Sequence, residues 1–295
     1  MIQRTLSVLL VSVLSIASFQ GYAFDLEGTL KGAIEKKIDP DSKAEDAEKA
    51  TTPETDKQPA FNLKSPSKEE EIQLGRQITG NLLGAAPLVK DEALQKYVNQ
   101  VGRWVASQSE RPDLPWHFGV IESEDINAFA APGGYVIITK GLYRQLKNEA
   151  QLAGVLGHEI GHVVRKHHLR LLQKSQLLDI GAKLLGSKVG KDDDITQKVI
   201  GNGAEILARG LDKNAEYEAD RMGVTLATRA GYEPFGLPEV LQSISQAGNT
   251  SRVTLLYKTH PHPDDRLTKL GDAIGGRLDN VQGKTLDKRF YKLKN

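Results

Sequence analysis

Cysteine is absent from the 295 residues, so neither a disulfide nor a lipid attached at an N-terminal cysteine is available. An exported chain without cysteine tolerates an oxidising compartment and suits the bacterial periplasm. No charge sign dominates either: a net charge of +1 provides no basic field to attract phosphates, which argues against nucleic acid as a partner. Beyond the first residues, no apolar run approaches the roughly 20 residues that cross a bilayer, and no internal repeat is visible.

What is present begins with an export signal. Arg4 gives residues 1–23 a positive start, Leu6 to Ala17 an apolar core, and Gly21-Tyr22-Ala23 a small-x-small cleavage site. The apolar run, about 14 residues, is short for a span. Cleavage near Ala23 and a periplasmic location without stable membrane insertion are therefore expected, a retained anchor being the alternative. Residues 24–38 read as a short helix. Residues 39–60 are rich in Asp, Glu, Lys, Thr and Pro, and read as a disordered linker within an N-terminal segment 24–64. The rest can bury one sizeable core and a minor subdomain.

The chemistry is concentrated in His158-Glu159-Ile160-Gly161-His162, inside residues 148–170, which read as one long helix. Histidines at i and i+4 differ by about 40° around a helix, so both imidazoles can face one ion. Glu159 falls beside the ion, where it suits a general base toward a zinc-bound water. Leu152, Val155, Leu156, Ile160, Val163 and Val164 form an apolar stripe that would bury this helix. A catalytic zinc keeps three protein ligands and one open position. His168 has the spacing of a third ligand in metzincins, but Arg165 stands where that class needs a glycine to end the helix. With the helix continuing, His167 would point about 180° from His158 and His168 about 80° off. Asn214-Ala215-Glu216-Tyr217-Glu218-Ala219-Asp220 offers a better third ligand. Glu216 and Asp220 share one helix face while Glu218 points away. Glu216 can ligate zinc, and Asp220 can accept a hydrogen bond that fixes a ligand histidine.

His158 to His162 followed by Glu216-x-x-Ala219-Asp220 resembles metallopeptidase family 48, which includes HtpX-like, CAAX prenyl and BepA-like periplasmic proteases. Ser67-Lys68-Glu69-Glu70-Glu71-Ile72-Gln73-Leu74-Gly75-Arg76 resembles the family's opening helix. Asn127-Ala128-Phe129-Ala130-Ala131-Pro132-Gly133-Gly134 resembles its hairpin, Gly141-Leu142 its lead-in to the active-site helix, and His260-Pro261 with Arg266 its late His-Pro motif. The likeness runs from about Ser65 to Gly275. It implies a zincin-like (gluzincin) fold, one Zn2+ held by His158, His162 and Glu216, and Glu159 as base. Lys166 replaces the family's usual Arg, a change that keeps the charge. BepA-like relatives continue into a helical-repeat domain after the His-Pro motif. Its absence suggests a minimal peptidase without a docking arm. The short apolar content sets the chain apart from the membrane-spanning branches.

The expected fold is α+β and mainly helical, with a small, partly antiparallel sheet in a peptidase domain 65–275 followed by a basic tail 276–295. Ser67 and Glu70 form a capping box opening a helix to about Leu83. Residues 93–107 read as a second helix, and residues 116–122 as a strand with His117 a strand residue rather than a ligand. Residues 126–131 and 135–139 form a hairpin around Pro132-Gly133-Gly134. Residues 169–186, 195–208 and 215–230 are helical, with a break at 187–194, and the tail 284–295 is a surface strand or frayed end. Asn127, Ala128, Phe129 and Ala130 are candidates for binding an extended peptide by its backbone, since small side chains leave room beside a sheet edge. His260, presented on a loop stiffened by Pro261 and Pro263, either donates to the oxyanion or occupies the fourth zinc position at rest. The expected function is a zinc endopeptidase acting on polypeptides of the cell envelope, with outer-membrane assembly proteins as possible partners. The rival is a metal-binding, chaperone-like quality-control protein, for which Glu159 would be superfluous.

Overall fold

The computed structural model describes residues 65–175, 210–248 and 250–293. The expected elements at 24–60, 187–194 and 195–208, and the signal segment, lie outside the described residues. Helix α1 (Lys68–Ala85) opens on the expected capping box: Glu70 N–H donates to Ser67 Oγ at 3.1 Å and Ser67 N–H to Glu70 Oε2 at 2.7 Å. Helix α2 (Glu92–Ala106) buries Leu94, Val98, Val101 and Val105 along one stripe. Strands β1 (His117–Ile121), β2 (Ala128–Ala131) and β3 (Tyr135–Thr139) form one sheet in the order β1-β3-β2. β1 runs parallel to β3 and β2 antiparallel, so β2 is an edge among the described residues. His117 opens β1 and stacks on Tyr135.

After α3 (Lys140–Gln145) comes α4 (Glu149–Val164), capped by Asn148, whose side chain accepts from Gln151 N–H. Every residue of α4 is buried, as a helix carrying a metal motif through a core must be. Helix α5 occupies 167–175, and α6 (Lys213–Arg229), α7 (Gly236–Gln246), α8 (Thr254–Thr259) and α9 (Pro263–Ile274) complete the fold. α4 and α6 pack almost backbone to backbone: a Cβ built on Gly157 would lie 2.8 Å from Gly223 O, and one on Gly223 2.9 Å from His158 N. Among the described residues no helix is long and apolar enough to cross a membrane.

Two expectations need correction. The helix expected at 148–170 stops at Val164, and Lys166 adopts a left-handed conformation, φ 55°, before α5 begins. No glycine or proline forces this, and a non-glycine residue there costs about 1–2 kcal/mol. Tertiary contacts hold the break. Arg111 donates to the Val163 carbonyl at the end of α4 and forms a two-pronged pair with buried Glu71, at 2.8 and 2.9 Å. Glu71 also accepts from the N–H of Gly133 at the hairpin tip, where φ is 77° and the chain needs glycine. The basic tail is not frayed over its described residues, which run to 293. Lys284 pairs with Tyr232, Phe290 is buried against Tyr143, and Arg289 forms an ion pair with buried Glu149.

Candidate metal centre

α4 supplies His158 and His162, α6 supplies Glu216, and the link between α8 and α9 supplies His260. One ligand atom from each lies within 4.8 Å of the other three, and all four residues are buried. The two Nε2 atoms are 3.0 Å apart, while Glu216 carboxylate oxygens lie 3.7 Å from His158 Nε2 and 3.5 Å from His162 Nε2. A tetrahedral ion with bonds of about 2.0–2.1 Å needs donors about 3.3 Å apart, and these separations straddle that value. Glu216 Oε1 is buried without a hydrogen-bond partner, as expected of an atom meant for a cation. Two imidazoles and a carboxylate suit zinc among the divalent ions. The residues present therefore fit a metal.

The close packing at Gly157 and Gly223 brings these donors together, because it lets α6 approach the face of α4 that carries both histidines. Gly154, Gly157 and Gly161 recur along α4 at helical spacing, the sequence signal of this close approach. Asp220 lies one turn beyond Glu216. Its Oδ1 is 2.9 Å from His158 Nδ1, so Nδ1–H donates there and the Nε2 lone pair is left for a cation. Arg266, on α9, is buried and grips the same carboxylate, Nε donating at 3.0 Å and Nη2 at 2.5 Å. Burial alone would raise the Asp220 pKa, but the Arg266 guanidinium and His158 hold it well below the ordinary range.

Glu159 is buried next to this group, and burial raises its carboxyl above the ordinary 4.5 although His158, His260 and Arg266 pull the other way. Its Oε2 has no hydrogen-bond partner, leaving an acceptor free for a proton. A small cavity opens beside it, walled by Ala128, Phe129 and Ala130 of β2 and by His168, Thr259 and His260. Three of the four residues expected to bind a peptide thus border the catalytic candidate. Asn127, the fourth, sits just before β2 and is fully buried, its Oδ1 accepting from Ala128 N–H.

His260 Nδ1 lies 2.7 Å from Glu216 Oε2. Burial would lower its pKa, but the Glu216 charge and hydrogen bond raise it above 6.5. His262 caps α9 at the surface instead. Glu218 points away from the donors, as expected from its helix face, and contacts Arg165 and His167. The broken helix changes the outcome for the other two histidines. Neither joins the donor group, but His167 packs on His162 and His168 borders the cavity, where burial lowers its pKa to about 3. A continuous helix would have turned both away from the donors, and the break at Lys166 is what returns them.

The fold and the donor group together define a metallopeptidase. The model of peptidase family M48 matches residues 92–274, and the chain belongs to that family. The chain is 33% identical over 208 residues to the beta-barrel assembly-enhancing protease of Escherichia coli K12, covering 67% of this chain and 42% of that protein. It is 28% identical over 186 residues to the mitochondrial metalloendopeptidase OMA1 of Arabidopsis thaliana, covering 63% and 37%. The metalloprotease YcaL of Escherichia coli is 26% identical over 161 residues, covering 54% and 63%. The chain spans under half the length of the first two of these relatives.

Proposed function

We propose that this chain is a zinc-dependent endopeptidase that hydrolyses peptide bonds in unfolded or misassembled proteins of the bacterial envelope. The observation that carries the reading is the buried donor group of His158, His162, Glu216 and His260 with the unpartnered carboxylate oxygen of Glu159 beside it. When bound, zinc would supply Lewis acidity, polarising the scissile carbonyl and making water more acidic. Glu159 takes the proton from the attacking water and returns it to the leaving amine; a carboxyl raised by burial suits this shuttle at neutral pH. Asp220 and Arg266 keep His158 in the ligand tautomer. The free edge of β2 holds an extended substrate through main-chain hydrogen bonds, which accommodates many sequences.

His260 contacts Glu216 within the donor group, which favours a resting state in which it fills the fourth position and excludes water. Periplasmic location is supported by the export-type residues 1–23 and by likeness to a protease whose name refers to beta-barrel assembly. Outer-membrane assembly proteins are the partners in this reading. The test is degradation of an unfolded protein by wild type and Glu159→Gln at equal zinc occupancy. Loss of turnover in Glu159→Gln supports the peptidase. Equal activity in both, or none in either, moves the function to metal-dependent binding without proteolysis.

A further inference from the structure

Among the described residues no carboxylate meets His162 Nδ1, whereas His158 Nδ1 has Asp220. His162 Nδ1 lies instead 2.9 Å from Nδ1 of His167, and Nε2 of His167 lies 3.3 Å from Glu218 Oε2. Glu218 is held in turn by Arg165, whose Nε is 3.0 Å from its other oxygen. We propose that His167 is a positioning residue for His162: it accepts the His162 Nδ1–H, donates its own Nε2–H to Glu218, and so turns the His162 Nε2 lone pair toward the cation site. This rests on the metal-site reading of His158, His162 and Glu216.

The direction of the chain follows from proton counting. A neutral imidazole has one N–H and one lone pair, and two ring nitrogens 2.9 Å apart need one donor and one acceptor. One proton lies between the two Nδ1 atoms. If His167 supplied it, two consequences would follow. His167 Nε2 would turn a lone pair toward the Glu218 carboxylate, two acceptors facing each other. His162 would carry its proton on Nε2, 3.0 Å from His158 Nε2, and could not ligate. Glu218 removes both conflicts by demanding the proton on His167 Nε2, which leaves the proton between the two Nδ1 atoms on His162. The geometry exists only because Lys166 adopts φ 55°; a continuous helix would carry His167 to the far side of α4. Glu216, Glu218 and Asp220 thus divide the work at alternate positions of one helix. Glu216 faces the ion, Asp220 orients His158 directly, and Glu218 orients His162 through His167.

The experiment uses the full-length, metal-free protein with nitrogen-labelled histidine. In wild type, NMR should show His162 protonated on Nδ1 and a scalar coupling across the hydrogen bond to His167 Nδ1. Zinc affinity, measured by competition with a chromophoric chelator, should fall about 10–100-fold in His167→Ala, in line with the loss of an outer-shell partner. His167→Gln, whose amide oxygen can accept from His162, should recover most of it. Glu218→Leu should weaken binding, whereas Glu218→Gln, which keeps an acceptor, should not. His162 protonated on Nε2 in wild type overturns the proposal without any variant. Zinc binding unchanged in His167→Ala overturns it as well, while leaving the metal site intact. Wild type that binds no zinc overturns the metal-site reading itself, and this proposal with it.

Discussion

Adding one methyl group at Gly223 tests whether the contact between α4 and α6 builds the metal site. In an open helix, Gly→Ala stabilises by up to about 1 kcal/mol. At Gly223 the new Cβ would lie 2.9 Å from His158 N and 3.1 Å from both Gly154 O and His158 Cα. Ordinary contact begins at 3.4 Å, so the helices must separate by about 3.4 − 2.9 = 0.5 Å. These neighbours are backbone atoms and cannot rotate away, and overpacking of this kind costs about 1–3 kcal/mol. Net destabilisation of up to about 2 kcal/mol remains after the helix gain is subtracted. The separation also exceeds the roughly 0.2 Å tolerance of metal–ligand distances, so Glu216 should move off the histidines and zinc affinity should fall at least about tenfold. Gly80, exposed in α1 with nothing within 4 Å of its Cβ position, is the control, and Gly80→Ala should stabilise. Urea unfolding with chelator present reads stability, and chelator competition reads affinity. If Gly223→Ala matches Gly80→Ala in stability and binds zinc like wild type, the close helix contact does not build the site.

Four other outcomes are expected. Metal analysis of Glu216→Gln should show weakened zinc binding, because the charged ligand is lost, whereas Glu218→Gln should bind normally; the reverse order would move the third ligand. Asp220→Asn should keep substantial metal yet lose activity about 10–100-fold, and should lower stability because Arg266 is left as a buried unpaired charge; metal loss as complete as in His158→Ala would make Asp220 a ligand. Turnover should rise in His260→Ala if His260 closes the site at rest, whereas a fall of about 10²–10³ would identify an oxyanion donor, and no change would leave a structural turn. Burial pushes the Glu149 carboxyl up, but Arg289, Tyr232 and Tyr97 more than offset this and hold it below 4.5. Its stabilisation is therefore complete above the unfolded value and is lost as pH falls from about 4.5; Glu149→Gln should flatten the fall of urea midpoint in that range, and an unchanged slope would assign acid sensitivity elsewhere.

Local rules carried much of this fold in the sequence. The capping box at Ser67 and Glu70, the glycines of the hairpin tip, and the stripe on α4 act through hydrogen bonds and periodicity within a few residues. The i, i+4 spacing placed His158 with His162, and Glu216 with Asp220, for the same reason. The likeness to a family then joined two helices that spacing alone could not relate. Contacts between distant segments decided the rest. The end of α4 carries no glycine or proline; Arg111 on Val163 O and Glu71 holds it, and neither lies near 165 in sequence. That break brought His167 and His168 to the site after helix geometry had excluded them. The burial of Phe290 in the last residues likewise depends on Tyr143, far back in the chain. Periodicity reports which face of an element is apolar, but not which partner covers it, and the partner set the position of His260, Arg266 and His167.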